Sequence, residues 1–243
     1  MRVSGWKYPE RKAFAVTTVL VAAAGAVRHR PVVAVVKPAA LGMLAITVAR
    51  GTRRRAPADN ALLAATLIAS AAGDYFMYRE EFADGRGKDR HIQTGATMFG
   101  VAHLAYLGLF SRHGARPTRR RLLPRFAVMN EVAALLILNQ PRLLPVLGTY
   151  GAALSVMAAT AADPCLSSGT RSDPTRRLAT GGILFMLSDA ILMNRRYLLR
   201  GNLARAMSEA TVLSTYFVAQ MFLLDGVDSL ARRRHAAGIV RPA

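Results

Sequence analysis

The sequence predicts an all-α membrane protein: a polytopic bundle of about eight transmembrane helices that makes residues 1–243 a single transmembrane domain with both termini cytoplasmic. Three observations predict it. Hydrophobic residues make up 52% of the chain, and its charges gather in short runs between apolar segments, as in integral membrane proteins. The apolar segments reach or approach the roughly 17–25 residues that cross a bilayer as a helix. The connections are short and carry Pro, Gly and charge, which leaves no room for a soluble domain.

The expected spans are approximately 13–27, 32–49, 59–78, 92–111, 122–138, 143–162, 176–194 and 207–227. The first, "AFAVTTVLVAAAGAV", follows Lys7, Arg11 and Lys12 and has the pattern of a signal peptide, but seven further apolar segments favour a retained helix. The second follows Pro31 and the third Pro57, each able to open a helix. The fourth comes after the polar stretch "ADGRGKDR". The fifth lies between Arg119–Arg121 and Pro141; it and the first are the shortest and rely on snorkelling flanks. The sixth follows Pro141, the seventh follows "DPCLSSGTRSDP", and the eighth follows "RGN".

A net charge of +19 raises nucleic-acid binding as a possibility. The basic runs at 50–55, 119–121 and 232–234 each border an apolar segment, however. That is the place of topology signals and anionic-lipid contacts, so no nucleic-acid partner is expected. Cys165 is the sole cysteine and permits no internal disulfide. With a cytoplasmic N-terminus, the cytoplasmic side of an eight-helix weave holds 21 Lys and Arg and the opposite side 11. The positive-inside rule favours that orientation.

In this topology Lys37, Asp74, Asp189 and Glu209, from four different spans, fall at similar depth in the non-cytoplasmic leaflet. A charge at the centre of a spanning helix costs roughly 2.5–3.5 kcal/mol on insertion scales, so such groups face the bundle interior and pair. A polar cavity opening toward one side is expected. The plain alternatives are that Lys37 snorkels to the headgroups and that Glu209, two residues into its expected span, complements a helix dipole. Asp74 and Asp189 sit about one turn inside their span ends with apolar residues on both sides, and a structural polar contact is their alternative.

Further polar residues share faces with these four. Gly95, Phe99, His103 and Tyr106 occupy one face of the fourth span. Ser70 is four residues from Asp74, Tyr216 is four from Gln220, and Ser188 adjoins Asp189. Gly73, Gly95, Gly181 and Gly182 read as close helix packing, and Asn130 and Glu131 as an interhelical hydrogen bond. No metal is expected, because His29, His91, His113 and His235 lie in or beside loops, leaving only His103 with the two aspartates. Serine catalysis lacks a G-x-S-x-G elbow.

Lys37-Pro38, "SAAGD" (70–74), "GATMFGVAHLAY" (95–106), "GGILFMLSD" (181–189) and "TYFVAQ" (215–220) stand in the order and spacing of a known pattern. From the second span to the eighth the chain resembles the YhhN/TMEM86 family of lysoplasmalogenases, polytopic membrane proteins. Its characterised members cleave the vinyl ether of lysoplasmalogens to a fatty aldehyde and glycerophosphoethanolamine or glycerophosphocholine. Gly181-Gly182 stands where the family commonly has Gly-Ala, and "AILMNRRYLLRG" after Asp189 is more basic than usual, which bears on headgroup preference.

The resemblance implies a hydrolase without cofactor, acting on a lysophospholipid among membrane lipids. Vinyl ethers open under acid, which requires one protonated carboxyl and one anion, so Asp74 and Asp189 are the expected catalytic pair, with the roles unassigned. His103, Tyr106, Tyr216 and Gln220 are expected to orient water, an aspartate or the glycerol, and Lys37 to bind phosphate or tune an aspartate. Ser70, Ser188 and Glu209 complete the supporting set. A lipid or small-molecule transporter, or a hydrolase of another lipid, uses the same intramembrane groups. Richness in Ala, Arg and Gly fits a high-GC bacterium and hence a plasma membrane.

Overall fold

The computed structural model describes residues 9–167 and 173–238; Arg2, Lys7, Arg171 and Arg241, all counted in the charge asymmetry, lie outside them. The described residues form eight α-helices and no strand: α1 (Pro9–Ala26), α2 (Arg30–Ala49), α3 (Pro57–Glu80), α4 (Gly85–Arg112), α5 (Arg119–Asn139), α6 (Leu144–Ala161), α7 (Leu178–Tyr197) and α8 (Asn202–Ala236). Short 3-10 turns such as Thr52–Arg54 and Pro164–Leu166 join them. Among the described residues five stretches are long and apolar enough to cross a membrane, namely α2, α3, α5, α8 and Pro141–Ala161, which takes in α6. Val35, Ile68, Leu104, Leu138 and Ile183 point outward, exposed. Such a rim is costly in water and natural against lipid.

Consecutive helices reverse direction, so the bundle has two ends. At the basal end lie the start of α1, the α2–α3, α4–α5 and α6–α7 connections, and the end of α8; the other connections meet at the mouth end. α8 is the most buried span and packs on α7, α1 and α2, while α4 packs on α3 and α6, and α5 on α6 and α7. Its core positions, among them Phe217, Leu223, Leu224 and Val227, are inaccessible.

The glycines set the tightest approaches. A Cβ on Gly182 would sit 2.9 Å from the Ala158 Cα of α6, and one on Gly181 2.9 Å from Leu223 and 3.2 Å from the Ala219 carbonyl of α8. On α3, a Cβ at Gly73 would meet the Phe99 ring at 2.9 Å; on α4, one at Gly95 would meet the Gly73 carbonyl at 3.3 Å. All four glycines therefore hold helices close, as the sequence suggests.

The helices run further toward the mouth than the apolar runs alone indicate. Glu209 lies seven residues into α8, so the helix dipole does not account for it. Lys37 is likewise seven residues into α2, while Asp74 and Asp189 precede the ends of α3 and α7 by six and eight residues. All four thus share one level, about 9–12 Å from the helix ends at 1.5 Å per residue.

Ion pairs close the basal end. Arg55 is buried and bonds Asp228, the Val48 carbonyl at 2.6 Å and Asn60 at 2.8 Å. Arg11 grips Asp225 at 2.5 and 2.8 Å, and Arg50 pairs with Glu10 at 2.9 Å. Asp59, fully buried, takes Arg112 at 3.1 Å and His113 at 3.3 Å. The basic runs expected as lipid contacts are therefore partly spent on tying helix ends together. In the α6–α7 connection Asp163 accepts from the Arg116 and Cys165 N–H groups and pairs with Arg121 at 3.3 Å. Burial raises that carboxyl, but these partners outweigh it and hold it at about 2.

Candidate active site

A cavity of about 690 Å³ lies among α2 to α8, and residues of the mouth-end connections and helix ends, such as Arg28, Glu81 and Arg205, line it. Lys37, Asp74, Tyr150, Asp189, Glu209 and Tyr216 border it. Its far wall is apolar, with Phe126, Met129, Val132 and Leu136 of α5 facing Leu147 of α6.

The Asp74 side is a ladder between α3 and α8. Lys37 Nζ lies 2.6 Å from Asp74 Oδ1, and the Tyr216 hydroxyl donates to Oδ2 at 2.8 Å. One turn on, Gln220 Nε2 donates to Ser70 at 3.0 Å and lies 3.2 Å from the Tyr216 oxygen, while Tyr106 donates to Gln220 Oε1 at 3.1 Å. The helices are antiparallel, so Ser70 and Asp74, four apart on α3, match Gln220 and Tyr216, four apart on α8. Lys37 is mostly buried and paired, which excludes snorkelling as its role.

The Asp189 side is built from α7, α6 and α4. The Tyr150 hydroxyl donates to Asp189 Oδ2, and His103 Nε2 lies 3.4 Å from the Tyr150 hydroxyl oxygen. His103 is fully buried and its Nδ1 has no hydrogen-bond partner. Phe185 separates the two acidic arms, with its ring edge against His103 at 4.7 Å and Tyr216 at 5.4 Å between centroids. Each carboxylate therefore has its own partners within one cavity.

The structure thus gathers Lys37, Asp74, Asp189, Tyr216 and Glu209 on the cavity wall and sets Ser70, His103, Tyr106 and Gln220 behind it, buried. Ser188 borders the cavity, but its hydroxyl donates to the Val212 carbonyl at 3.0 Å and ties α7 to α8. Asn130 also faces the cavity. Tyr150 carries no charge and belongs to none of the sequence motifs that mark the other site residues. Its available signal is a bulky residue with a polar tip in the glycine-flanked "GTYGAA", since a buried tyrosine hydroxyl needs a partner.

The mouth is strongly charged. Glu80 is held by Arg196 at 2.8 and 2.9 Å and approached by Lys88 at 3.7 Å; Arg30 pairs with Glu81 at 3.2 Å, and Arg195 with Glu209. Burial pushes the Glu81 carboxyl up against the pull of Arg30. Tyr197 closes one edge by donating to Gln140 at 2.8 Å. Among the described residues no three His, Cys, Asp or Glu side chains form a set able to hold a metal.

Fold and site together define an all-α integral membrane protein with a carboxylate-lined cavity inside its helices. The model of the YhhN family matches residues 32–227, from α2 into α8, and the chain belongs to that family. No curated protein and no solved structure matches it.

Proposed function

We propose that this protein is a lysoplasmalogenase-like ether hydrolase, cleaving the vinyl ether of a lysoplasmalogen to a fatty aldehyde and a glycerophospho-headgroup. The observation that carries this reading is the pair of aspartates on one cavity in unlike settings. Asp74 is ion-paired with Lys37, while the partner of Asp189 among the described residues is the neutral Tyr150 hydroxyl. Asp74 serves as the carboxylate and Asp189 as the proton donor. Tyr150 occupies Asp189 Oδ2, leaving Oδ1 to carry the proton toward the cavity.

The steps balance. Asp189 protonates the β-carbon of the vinyl ether, and the oxocarbenium ion that forms is stabilised by the Asp74 carboxylate. Water adds to the α-carbon and gives its proton to Asp74. The hemiacetal then collapses: its hydroxyl proton returns to Asp189, Asp74 protonates the departing glycerol oxygen, and both carboxyls regain their starting forms. Tyr216, fixed by Gln220, holds Asp74 in place. The apolar wall of α5 and α6 suits the alkenyl chain, and the ion-paired basal end, which a transporter would have to open, suits an enzyme with one entrance.

The test is aldehyde release from a lysoplasmalogen by purified protein, with lyso-diacyl analogues as controls. Asp74→Asn and Asp189→Asn should each lower turnover about 10²–10⁴-fold while the thermal transition persists. Normal turnover in either folded variant refutes the assignment, and no aldehyde from the parent protein refutes the reaction.

A further inference from the structure

The mouth of the cavity presents more cations than its own carboxylates use. Its three glutamates are all engaged: Glu80 with Arg196 and Lys88, Glu81 with Arg30, and Glu209 with Arg195. Arg28 and Arg205 also border the cavity, are exposed, and have no acidic partner within ion-pair distance among the described residues. Arg205 is anchored by its Nε on the Leu199 carbonyl at 3.2 Å, which leaves its terminal nitrogens available. Arg28 stands at φ 55°, the one non-glycine among the described residues with positive φ, in the tight turn between α1 and α2. That conformation costs about 1 kcal/mol or more for a non-glycine residue, and it sets an arginine, with its planar fork of donors, at the entrance.

We propose that Arg28 and Arg205 form a phosphate site at the cavity mouth that selects lysolipids of net negative headgroup charge over zwitterionic ones. This rests on the reading of the cavity as a lysolipid site. A phosphate finds two arginines without acidic partners, and Lys37 is not needed for it, being occupied by Asp74. An ammonium or choline group finds every glutamate that borders the mouth already paired, with Asp89, whose charge reaches Tyr197, outside the cavity lining, and is left beside Arg195, Arg196 and Lys88. A headgroup ending in phosphate, or in a neutral alcohol beyond the phosphate, escapes that repulsion. The acids lie about 9–12 Å below the helix ends, a depth shared between an inward-reaching arginine and the glycerol that links phosphate to ether.

The test is binding, read separately from catalysis. Thermal stabilisation of the purified full-length protein is titrated with saturated acyl lysolipids, which contain no vinyl ether: lysophosphatidic acid, lysophosphatidylglycerol, lysophosphatidylcholine and lysophosphatidylethanolamine. The two anionic lipids should bind about tenfold more tightly at low salt, because all four offer the phosphate and only the zwitterionic pair sets an ammonium among the cations of the mouth. That margin should shrink with added salt and narrow in Arg28→Gln/Arg205→Gln, which should also weaken all four lipids through the lost phosphate contacts. Arg205→Glu should move preference toward the ethanolamine and choline lipids. Equal or tighter binding of the zwitterionic lipids by the parent, or affinities and a margin unchanged in Arg28→Gln/Arg205→Gln, overturns the proposal. So does glycerol 3-phosphate binding as tightly as its lysolipid, because the mouth would then be a site for soluble phosphate. Anionic preference without aldehyde release from any alkenyl lipid leaves this site standing and removes the vinyl ether reaction instead.

Discussion

Replacing Lys37 with Met isolates what the ion pair contributes. Lys37 and Asp74 are 16% and 9% exposed and 2.6 Å apart, so the substitution strands a carboxylate in the membrane interior with only the Tyr216 hydroxyl for compensation. Breaking a buried pair from one side costs about 3–5 kcal/mol, whereas removing both charges together is close to neutral. Lys37→Met should therefore destabilise strongly. Lys37→Met/Asp74→Asn should recover most of the loss, since the Asn carbonyl still accepts from Tyr216. On the proposed reaction, activity should not recover, because the double variant lacks the carboxylate assigned to stabilise the cation and accept the proton of water. Thermal unfolding in detergent and aldehyde release on the same preparations measure the two quantities. Additive stability losses, with the double variant no better than Lys37→Met, would show the pair to be uncoupled, and renewed turnover in it would remove Asp74 from the chemistry.

Three further outcomes follow from particular contacts. Tyr150→Phe keeps the ring and deletes the hydroxyl shared by Asp189 and His103; turnover should fall about 10- to 150-fold for the loss of about 1.5–3 kcal/mol, checked by kcat against an unchanged chain-length preference. Gly182→Ala places a Cβ 2.9 Å from the Ala158 backbone and should cost about 1–3 kcal/mol by overpacking, whereas Gly148→Ala, whose nearest neighbour is 3.9 Å away, should leave the unfolding temperature nearly unchanged. Asp163, held at about 2, binds fewer protons folded than unfolded, so its contribution is complete above the usual carboxylate range and is lost as pH falls through about 2. Asp163→Asn should flatten the acid limb of the stability profile between about pH 4 and pH 2, measured by unfolding temperature against pH.

The sequence reveals most readily what a membrane makes expensive. Lys37, Asp74 and Asp189 stand out because a charge in an apolar run needs a reason, and the helical period extends that reasoning to Ser70, Tyr216 and Gln220. Tyr150 is hidden by the same rule: a tyrosine costs little in an apolar helix, and its importance comes from α6 lying against α4 and α7, which no local pattern encodes. Ser188 fails in the opposite direction. Adjacency to Asp189 suggests partnership, yet neighbouring residues on a helix point about 100° apart, and Ser188 turns to the α8 backbone instead. The spans are legible as cores but not as ends, since polar residues such as those at 85–90 and 228–235 continue helices where hydropathy stops. That is why Glu209 reads as a helix-start carboxylate until α8 is seen to begin at Asn202.

The difference between the two ends links the fold to the chemistry. At the basal end each buried acid has a guanidinium across a helix boundary, as in Arg55–Asp228 and Arg11–Asp225. Such pairs add little net stability over apolar packing, but they tie α1 and the α2–α3 connection to α8, whose Tyr216 and Gln220 hold the Asp74 arm. At the mouth the pairs lie on the rim of an open cavity, where solvent and ligand compete for them and each is worth less. A rigid base beneath an exchangeable rim holds Asp74 and Asp189 in place while leaving the entrance free to accommodate the charged headgroup of the proposed substrate. A chain sealed at both ends could keep the acids in place but could not admit a lipid; one open at both ends would let water and protons cross beside Asp74.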